Sequence, residues 1–417
     1  MFLTSLMRIL LTRSIKPFTF VGTHENRLDF MDLNNLGLYV HIPFCRSICA
    51  FCPYCKEIYN KQKADTYKTA LLCEIDLVCR DMKEKKEVTS LYFGGGTPAL
   101  MIDDLGEIIQ KLKKYFTILG GVGVELHPDD INVENLSKLK LAGVSMVSLG
   151  IQSFNKDCLE KIGRENDSFV EKLETVKKAG FDVIDVDLIF AIPGQTDKIL
   201  RDDIKTAFEH GATQISTYPF IDFTFANNKY KPMSEKVKKA MLKNLNEYCS
   251  EIGVERSSVW TFAKGKTEKY SSVTRDNFLG FGASATTLLK NNFKINTFSL
   301  DAYYKRVEKG ELPTSLTLNF TKRQRAVYYL FWAAYSMNIS SLGFEETVGI
   351  TLEKMFGFEL FIAQKLRFLI KQDNCYILTD KASYIYHYIE QVYTTAYIDK
   401  MWNISRLQPF PDRIVLK

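Results

Sequence analysis

Three closely spaced cysteines are the residues of this chain best suited to chemistry. Cys45, Cys49 and Cys52 occur in the segment Cys45-Arg-Ser-Ile-Cys49-Ala-Phe-Cys52. Thiolates at this CxxxCxxC spacing can ligate three irons of a four-iron, four-sulfur (4Fe-4S) cluster and leave the fourth iron without a protein ligand. Because an iron with an open coordination position can bind a small molecule, the spacing favours a catalytic cluster over one that only transfers electrons.

Two other interpretations of these cysteines remain open. Cys55 could complete a four-thiolate zinc site, or all four cysteines could be unconnected buried thiols. Zinc sites usually pair two CxxC units across a longer loop, and four ligands between residues 45 and 55 give poor tetrahedral geometry. We therefore favour the cluster, with Cys55 near it as a non-ligand. The remaining cysteines are isolated and are expected to be ordinary core or surface residues: Cys73, Cys79, Cys158, Cys249 and Cys375.

A glycine-rich segment, Gly94-Gly95-Gly96-Thr97-Pro98, follows the second predicted strand. Glycines let a ligand approach the backbone closely and let amide and carbonyl groups point at it. Many strands end at glycine, so the motif alone is weak evidence. Its position one strand after the cysteine loop would allow it to hold the amino-acid part of a ligand that also binds iron.

Short apolar strands that alternate with amphipathic helices would position both motifs. The predicted strands are residues 38–42, 90–93, 123–126, 145–150, 183–188 and 214–217, with helical patterns between them, for example at 64–83, 103–116 and 197–210. Strands that are each followed by a helix predict an α/β fold with a parallel sheet, and these six are fewer than the eight of a closed TIM barrel. We expect a partial (β/α)6 TIM-type barrel with the active site at the carboxyl ends of its strands.

The alternation stops near Lys229. A long helix is predicted at 234–252, and Asn291-Asn292 predicts a hairpin turn between residues 286–290 and 293–296. From residue 321 the pattern is helical and aromatic, with helices at 323–336, 352–356, 359–372 and 381–393 and a strand at 375–378. We expect a mostly helical, winged-helix-like domain that covers the open barrel. Its aromatic residues are expected to form its core rather than a pocket, for example Tyr328, Tyr329, Phe331 and Trp332.

The pattern predicts four units along the chain. They are a leader packed on the barrel (residues 1–35), the partial barrel (36–230), an extension of the barrel (231–315) and the C-terminal helical domain (316–417). Residues 1–20 are apolar, with basic residues but no acidic one, so a targeting or membrane-surface helix is the alternative to a capping leader.

Composition limits the possible functions. The 417 residues are 46% hydrophobic and 25% charged, which is typical of a globular chain and excludes a disordered one. The net charge of +6 is spread along the chain without an arginine-rich block, so we expect no nucleic-acid partner. No apolar run reaches the roughly 18 residues of a transmembrane span. Nine cysteines, an odd number, argue against a disulfide scaffold and favour the reducing cytoplasm.

An ordered series of motifs resembles the radical S-adenosylmethionine (SAM) superfamily. More narrowly, the chain is similar to the oxygen-independent coproporphyrinogen III oxidase family over about residues 36–320, and the series is more specific than any single motif. The motifs are Tyr39-Val-His41-Ile-Pro43-Phe-Cys45 through Cys52, Gly94 to Pro98, Val124-Glu125-Leu-His-Pro128, Val147-Ser-Leu-Gly150-Ile-Gln152-Ser-Phe154, Gly163-Arg164-Glu165, Asp187-Leu-Ile-Phe-Ala-Ile-Pro193 and Leu279-Gly280-Phe-Gly282-Ala-Ser-Ala285.

The resemblance implies a cluster-bound SAM whose reductive cleavage gives a 5′-deoxyadenosyl radical. Positions that contact this SAM correspond to Tyr39, Gly95 and Glu125, with Gly94 in the same loop. Positions assigned to a second SAM match Phe51, Gly96, Thr97, Gln152, Arg164 and Asp187. The residue types suit these roles, because Glu125 can bind an ammonium group, Arg164 a carboxylate and Asp187 two ribose hydroxyls. The alternative for each is a structural residue at the end of a barrel strand.

The resemblance further implies a cytoplasmic enzyme that acts on a porphyrin-like, hydrophobic and anionic substrate and takes an electron from a reduced flavodoxin or ferredoxin-type donor. The family also contains radical methyltransferases, heme-degrading enzymes and heme chaperones. A radical SAM C-methyltransferase, an anaerobic heme-degrading enzyme and a non-catalytic heme chaperone therefore remain alternatives. Conceivable axial ligands of a heme are His24, His127, His210 and Cys158, although each is more readily explained as structural.

The chain departs from the oxidase at several positions. The fourth cysteine comes earlier in the oxidase, whereas Pro53 and Tyr54 precede Cys55 here, which puts a shared role of that cysteine in doubt. Ala191 replaces a glycine that is usual before the Leu/Ile-Pro pair. The cysteine-containing C-terminal tail of the oxidase has no counterpart in residues 405–417.

Overall fold

A computed structural model describes residues 2–22, 27–49, 52, 56–165, 168–224, 226, 228–265 and 276–417. The predictions for His24, Phe51 and Cys55 therefore lie outside the described residues. Within the described part of the chain, no helix combines the length and the hydropathy needed to cross a membrane.

The strands are named here in chain order. They are β1 Phe18–Val21, β2 Leu36–Ile42, β3 Phe44–Cys45, β4 Glu57–Ile58, β5 Lys86–Val88, β6 Ser90–Gly95, β7 Phe116–Ile118, β8 Val122–Leu126, β9 Met146–Gln152, β10 Val183–Phe190, β11 Gln214–Pro219, β12 Glu255–Arg256, β13 Thr261–Ala263, β14 Asn277–Phe281, β15 Thr286–Leu288, β16 Asn292–Asn296, β17 Thr314–Asn319, β18 Asn338–Ser340, β19 Leu369–Gln372, β20 Cys375–Leu378 and β21 Arg413–Leu416.

The helices are named in the same way. They are α1 Phe2–Thr12, α2 Lys61–Cys79, α3 Ile102–Tyr115, α4 Val133–Leu141, α5 Lys156–Lys161, α6 Phe169–Ala179, α7 Asp197–His210, α8 Glu235–Glu251, α9 Leu300–Glu308, α10 Lys322–Tyr335, α11 Ser341–Val348, α12 Leu352–Lys365, α13 Asp380–Tyr393 and α14 Asp399–Leu407.

A large mixed sheet contains the predicted barrel strands. Among the described strands, its order is β12-β13-β11-β10-β9-β8-β6-β2-β14-β15-β16-β17-β1-β21. The run from β11 to β2 is parallel, and its strands lie side by side in the reverse of their chain order. This order is that of a partial (β/α)6 barrel and confirms the predicted fold class. The sequence did not identify β14, which pairs in parallel with β2.

Burial explains why these segments form strands and helices. Val40, Ile42, Val186 and Leu188 are fully buried in β2 and β10, as expected for parallel strands covered on both faces. The helices bury a single apolar stripe instead. In α3 the buried residues Leu105, Ile108, Ile109 and Leu112 recur at the spacing of one helix face.

The C-terminal region contains a small antiparallel sheet of β18, β20 and β19 beside α10 to α13. The predicted helix over 359–372 is wrong in its last part, because β19 pairs with β20 there. The two predicted helices at 352–356 and 359–372 are instead one element, α12, with a kink at Phe356 (φ −130°, ψ 20°). The hairpin predicted at Asn291-Asn292 is confirmed by the antiparallel pairing of β15 with β16.

The N-terminal leader joins the large sheet. β1 pairs antiparallel with β17 and β21, at the end of the sheet opposite β12. The helix α1 contacts the C-terminal region, where Arg323 Nε donates to the Leu11 carbonyl at 2.7 Å. The domain boundaries at residues 35, 230 and 315 stay predictions.

Candidate functional site

A cavity of about 770 Å³ lies at the carboxyl ends of the parallel strands. A volume of this size can bury a ligand of several hundred daltons. The predicted site residues that line it are Tyr39, Cys45, Cys49, Cys52, Gly95, Gly96, Thr97, Glu125, Gln152, Arg164 and Asp187. Gly94 packs behind the cavity wall, since a Cβ on it would lie 2.8 Å from Glu125 Oε1.

Two basic side chains, Lys56 and Arg46, hold the cysteine loop. Lys56 Nζ donates to the carbonyls of Cys49 and Cys52 at 2.9 and 3.1 Å, and Arg46 bonds the buried carboxylate of Asp130. The three cysteines are neither fully buried nor exposed, so their thiols are accessible from the cavity. Sequence analysis did not identify the contribution of Lys56.

The chemistry of these thiols favours a positively charged partner. Burial, and then the neighbouring Cys52, raises the pKa of the Cys45 thiol to about 11. A metal cation overcomes such a penalty, because coordinated thiols are deprotonated. Among the described residues, no three His, Cys, Asp or Glu side chains are grouped to hold a single metal ion.

The glycine loop fits closely against the cysteine loop. Thr97 N donates to the Phe44 carbonyl at 2.7 Å, and a Cβ on Gly96 would lie 2.5 Å from that carbonyl oxygen and 3.0 Å from Cys45 Sγ. Gly95 has φ +119°, and a Cβ there would lie 2.6 Å from the His41 ring. Glycine is therefore required at both positions for the two loops to approach each other.

Glu125 lies at the end of β8 and fixes the glycine loop. Its Oε2 accepts from Gly95 N at 3.0 Å, and its Oε1 accepts from the Tyr92 hydroxyl at 2.9 Å. Burial raises the pKa of Glu125, while these two hydrogen bonds oppose the shift. Tyr39 stacks on Tyr92 at 6.3 Å between ring centroids, and its hydroxyl lies 3.0 Å from His41 Nδ1.

Gln152, Arg164 and Asp187 form the opposite part of the polar lining. Gln152 ends β9 with φ +73°, which is unusual for a residue with a side chain. The Arg164 guanidinium donates to the Gly150 carbonyl. Ser148 Oγ donates to Asp187 Oδ2 at 2.9 Å. Burial, followed by the negative charges of Asp185 and Glu125, raises the pKa of Asp187 well above its usual value.

Asp185 is a cavity residue that the sequence reasoning missed. It is buried on the same strand as Asp187, accepts from Ser216 Oγ at 2.8 Å, and has a pKa raised to about 6 by burial. Two acids at alternate positions of an apolar strand point to the same face. That spacing in the sequence was a signal for a polar cavity wall.

A deeper group of buried side chains holds the barrel mouth in place. Tyr67 donates to the His41 carbonyl at 2.7 Å and accepts from Ala283 N at 3.1 Å. Glu74 accepts from Gly282 N and from the Tyr303 hydroxyl, each at 2.6 Å. The second glycine motif is thus packed beside β2.

The predicted heme ligands that the structure describes differ in their position relative to the cavity. His127 lines the cavity, and burial together with the charge of Arg164 lowers its pKa to about 4. His210 contacts Glu174 at 2.9 Å on the helical surface, and Cys158 is buried in α5. Neither His210 nor Cys158 lines this cavity.

Aromatic residues of the C-terminal region close the cavity. Tyr328, Phe331 and Trp332 line it, so the expectation that they only form a core is wrong for these three. Tyr329 does lie in the core of the C-terminal region. The cavity therefore combines a polar wall from the barrel with an aromatic wall from α10 and α13.

Comparisons with known proteins agree with this arrangement. Residues 39–207 match the Radical SAM superfamily. The heme chaperone HemW of Bacillus subtilis is 30% identical over 339 residues, which cover 76% of this chain and 88% of HemW. The oxygen-independent coproporphyrinogen III oxidase of Escherichia coli is 27% identical over 303 residues, which cover 66% of each chain.

Comparison with solved structures shows the same fold. The structure of the E. coli coproporphyrinogen III oxidase HemN superposes with a TM-score of 0.73 over 87% of this chain and 90% of HemN, at 23% identity. Proteins of the matched superfamily use a 4Fe-4S cluster and SAM. The chain therefore belongs to the radical SAM superfamily and, within it, to the family that contains the HemW chaperones and the oxygen-independent coproporphyrinogen III oxidases.

Proposed function

We propose that this chain is a cytoplasmic radical SAM enzyme that acts on a porphyrin-like substrate. The observation that supports this most directly is the composition of one cavity, which contains three cysteines, a polar barrel wall and a large aromatic wall. The first two features suit an iron-sulfur cluster and SAM. The third suits a flat, hydrophobic molecule.

Cys45, Cys49 and Cys52 would hold the 4Fe-4S cluster. Their loop is exposed at residues 46–48, with Ile48 55% exposed, so a reduced flavodoxin or ferredoxin-type donor has access to it. When bound, the cluster and SAM supply the abstraction of a hydrogen atom from an unactivated carbon of the substrate. The protein contributes binding, orientation and exclusion of water.

Side chains of the polar wall would orient SAM. The backbone of Gly95 and Gly96 lines the cavity and can contact the amino-acid part of SAM, and the Glu125 carboxylate can accept from its ammonium group. Arg164 can bind a carboxylate, and Asp187 can accept from ribose hydroxyls. These last two residues, with Gln152 and Thr97, would serve a second SAM if one binds.

A non-catalytic heme chaperone is the second candidate function. The 30% identity with HemW of B. subtilis, a heme chaperone, supports this second candidate. His127 lines the cavity and, with a pKa of about 4, is neutral at pH 7, as a heme ligand must be. Products distinguish the candidates, since a chaperone binds heme without converting it.

Anaerobic reconstitution tests the proposal. We expect about four irons per chain, loss of the brown absorbance in Cys49→Ala, and retention in Cys73→Ala, whose thiol is exposed on α2. With reductant, SAM and coproporphyrinogen III, the protein should form 5′-deoxyadenosine and a decarboxylated product. A methylated product or an opened ring would indicate the other enzymes, and bound heme without turnover would indicate the chaperone. A full cluster in Cys49→Ala would contradict the site assignment.

A further inference from the structure

A buried carboxyl group lies in the aromatic wall of the cavity. Glu390 is on α13, is 9% exposed and lines the cavity. Its Oε1 accepts from Thr394 Oγ1 at 2.8 Å, whereas its Oε2 is buried without a hydrogen-bond partner among the described residues. None of the sequence motifs includes this residue.

The unpaired oxygen of Glu390 lowers the stability of the folded chain unless a ligand donates a hydrogen bond to it. A buried polar atom without a hydrogen bond costs about 1–3 kcal/mol, and more when it is charged. Burial raises the pKa of Glu390 to about 7, and the Thr394 hydroxyl opposes the shift only in part. No described basic side chain forms an ion pair with Glu390. A ligand that donates a hydrogen bond to Oε2 would remove the penalty.

The surroundings of Glu390 are aromatic. Phe331 packs against Tyr393 at 4.8 Å between ring centroids. Tyr335 and Tyr393 line the same cavity as Glu390. A flat apolar molecule that packs on these rings would meet the buried, unpaired oxygen of Glu390 as a hydrogen-bond acceptor.

Charge decides which part of a tetrapyrrole could face this wall. Its propionate carboxylates would be repelled by Glu390, and the cavity offers them Arg8 on α1 and Arg46 in the cysteine loop. Its hydrogen-bond donors are the pyrrole N–H groups at the centre of the ring. These N–H groups are therefore the complementary partner of Glu390.

We propose that Glu390 is a substrate-binding residue that accepts a hydrogen bond from a pyrrole N–H of the tetrapyrrole. This inference rests on the proposed function, because it takes the ligand class from it. Glu390 would orient the tetrapyrrole on the aromatic wall. The edge of the tetrapyrrole, and not its centre, would then face the polar wall of the barrel.

Two porphyrins that differ in their N–H groups provide the test. Protoporphyrin IX has pyrrole N–H groups, and in its nickel(II) complex the metal replaces them while the propionates remain. Binding to the full chain is measured by quenching of tryptophan fluorescence. Glu390→Leu should weaken binding of the free base about tenfold, the loss of one hydrogen bond, and should change binding of the nickel complex less than about threefold. Glu390→Gln keeps an acceptor and should bind both like the wild type.

Each outcome decides the question. Glu345→Leu, at an exposed position of α11, is the control and should bind both porphyrins normally. An equal loss for both porphyrins in Glu390→Leu, or no loss, would overturn the role of Glu390 and leave the proposed function standing. If the wild type bound neither porphyrin, the tetrapyrrole substrate class itself would be wrong and the inference would fall with it.

Discussion

Replacing Glu125 by glutamine separates its contact with SAM from its structural contacts. The carboxylate accepts from Gly95 N at 3.0 Å and from the Tyr92 hydroxyl at 2.9 Å. A glutamine amide can keep both contacts, since its oxygen accepts from Gly95 N and its NH₂ donates to the phenol oxygen once the phenol hydrogen turns away. The substitution removes the negative charge and retains the shape.

The expected loss of SAM binding follows from the proposed ammonium contact. A hydrogen bond to a charged group contributes about 1.5–3 kcal/mol, which corresponds to about 10- to 150-fold weaker binding of SAM. The free energy of unfolding should change by less than about 1 kcal/mol, because both protein contacts remain. Glu125→Ala, in contrast, leaves the amide of Gly95 without an acceptor and should also destabilise the fold by about 1–3 kcal/mol.

Isothermal titration of SAM into the reconstituted protein, together with urea unfolding, provides both quantities. Glu134→Gln is the matched control, because that carboxylate is exposed on α4 and should leave both unchanged. If Glu125→Gln bound SAM as tightly as the wild type while remaining folded, Glu125 would only support the glycine loop. The ammonium contact would then have to be assigned elsewhere.

Three further predictions address the loops and the C-terminal packing. Gly95→Ala should weaken SAM binding and lower the unfolding temperature more than Gly180→Ala. Both glycines have positive φ, but an added Cβ lies 2.6 Å from a neighbour at position 95 and has none within 4 Å at position 180; equal effects would contradict this. Burial lowers the pKa of His387 to about 3, so the unfolded chain binds one more proton between that value and about 6.5. The unfolding free energy of the wild type should therefore fall on acidification, and its slope should exceed that of His387→Gln by about 1.4 kcal/mol per pH unit. Urea unfolding at pH 7, 6 and 5 measures both slopes, and equal slopes would disprove this role of His387. Cys55→Ser should keep its iron and its uncoupled SAM cleavage, whereas loss of about a quarter or more of the iron would identify a fourth ligand.

The barrel strands were predictable because their pattern is local. All six predicted strands are present, and their ends differ from the prediction by at most two residues. Parallel strands buried on both faces appear as continuous apolar runs, and polar or glycine residues mark where each one ends. The same locality made the cysteine and glycine loops visible, since each consists of neighbouring residues at the end of one strand.

The C-terminal region was harder to predict because its elements depend on distant partners. Residues 369–372 continue a helical pattern in the sequence, but β20 offers them an antiparallel partner and they form β19. The leader strand β1 likewise finds its partners in β17 and β21. Such pairings depend on tertiary contacts that a single apolar run does not specify.

Backbone conformation explains one departure that the sequence alone only records. The resemblance implies a glycine at the position of Ala191, and Ala191 has φ +58°, in the left-handed region that favours glycine. It is fully buried at the end of β10, directly before the turn at residues 192–195. The family glycine is therefore explained by the bend of the chain, and the alanine here retains that bend at a conformational cost.

The two walls of the cavity differ in how far they determine function. The barrel wall contains the residues of the motifs that resemble the radical SAM pattern, together with Asp185, so it indicates the cofactors and leaves the substrate open. The aromatic wall, with Tyr335 and Glu390, comes from residues 322–393, which contain none of these motifs. Substitutions in the barrel wall should therefore affect SAM, whereas substitutions in α10 and α13 should distinguish an oxidase from a chaperone or a methyltransferase. Substrate identity is consequently a question about the C-terminal helices.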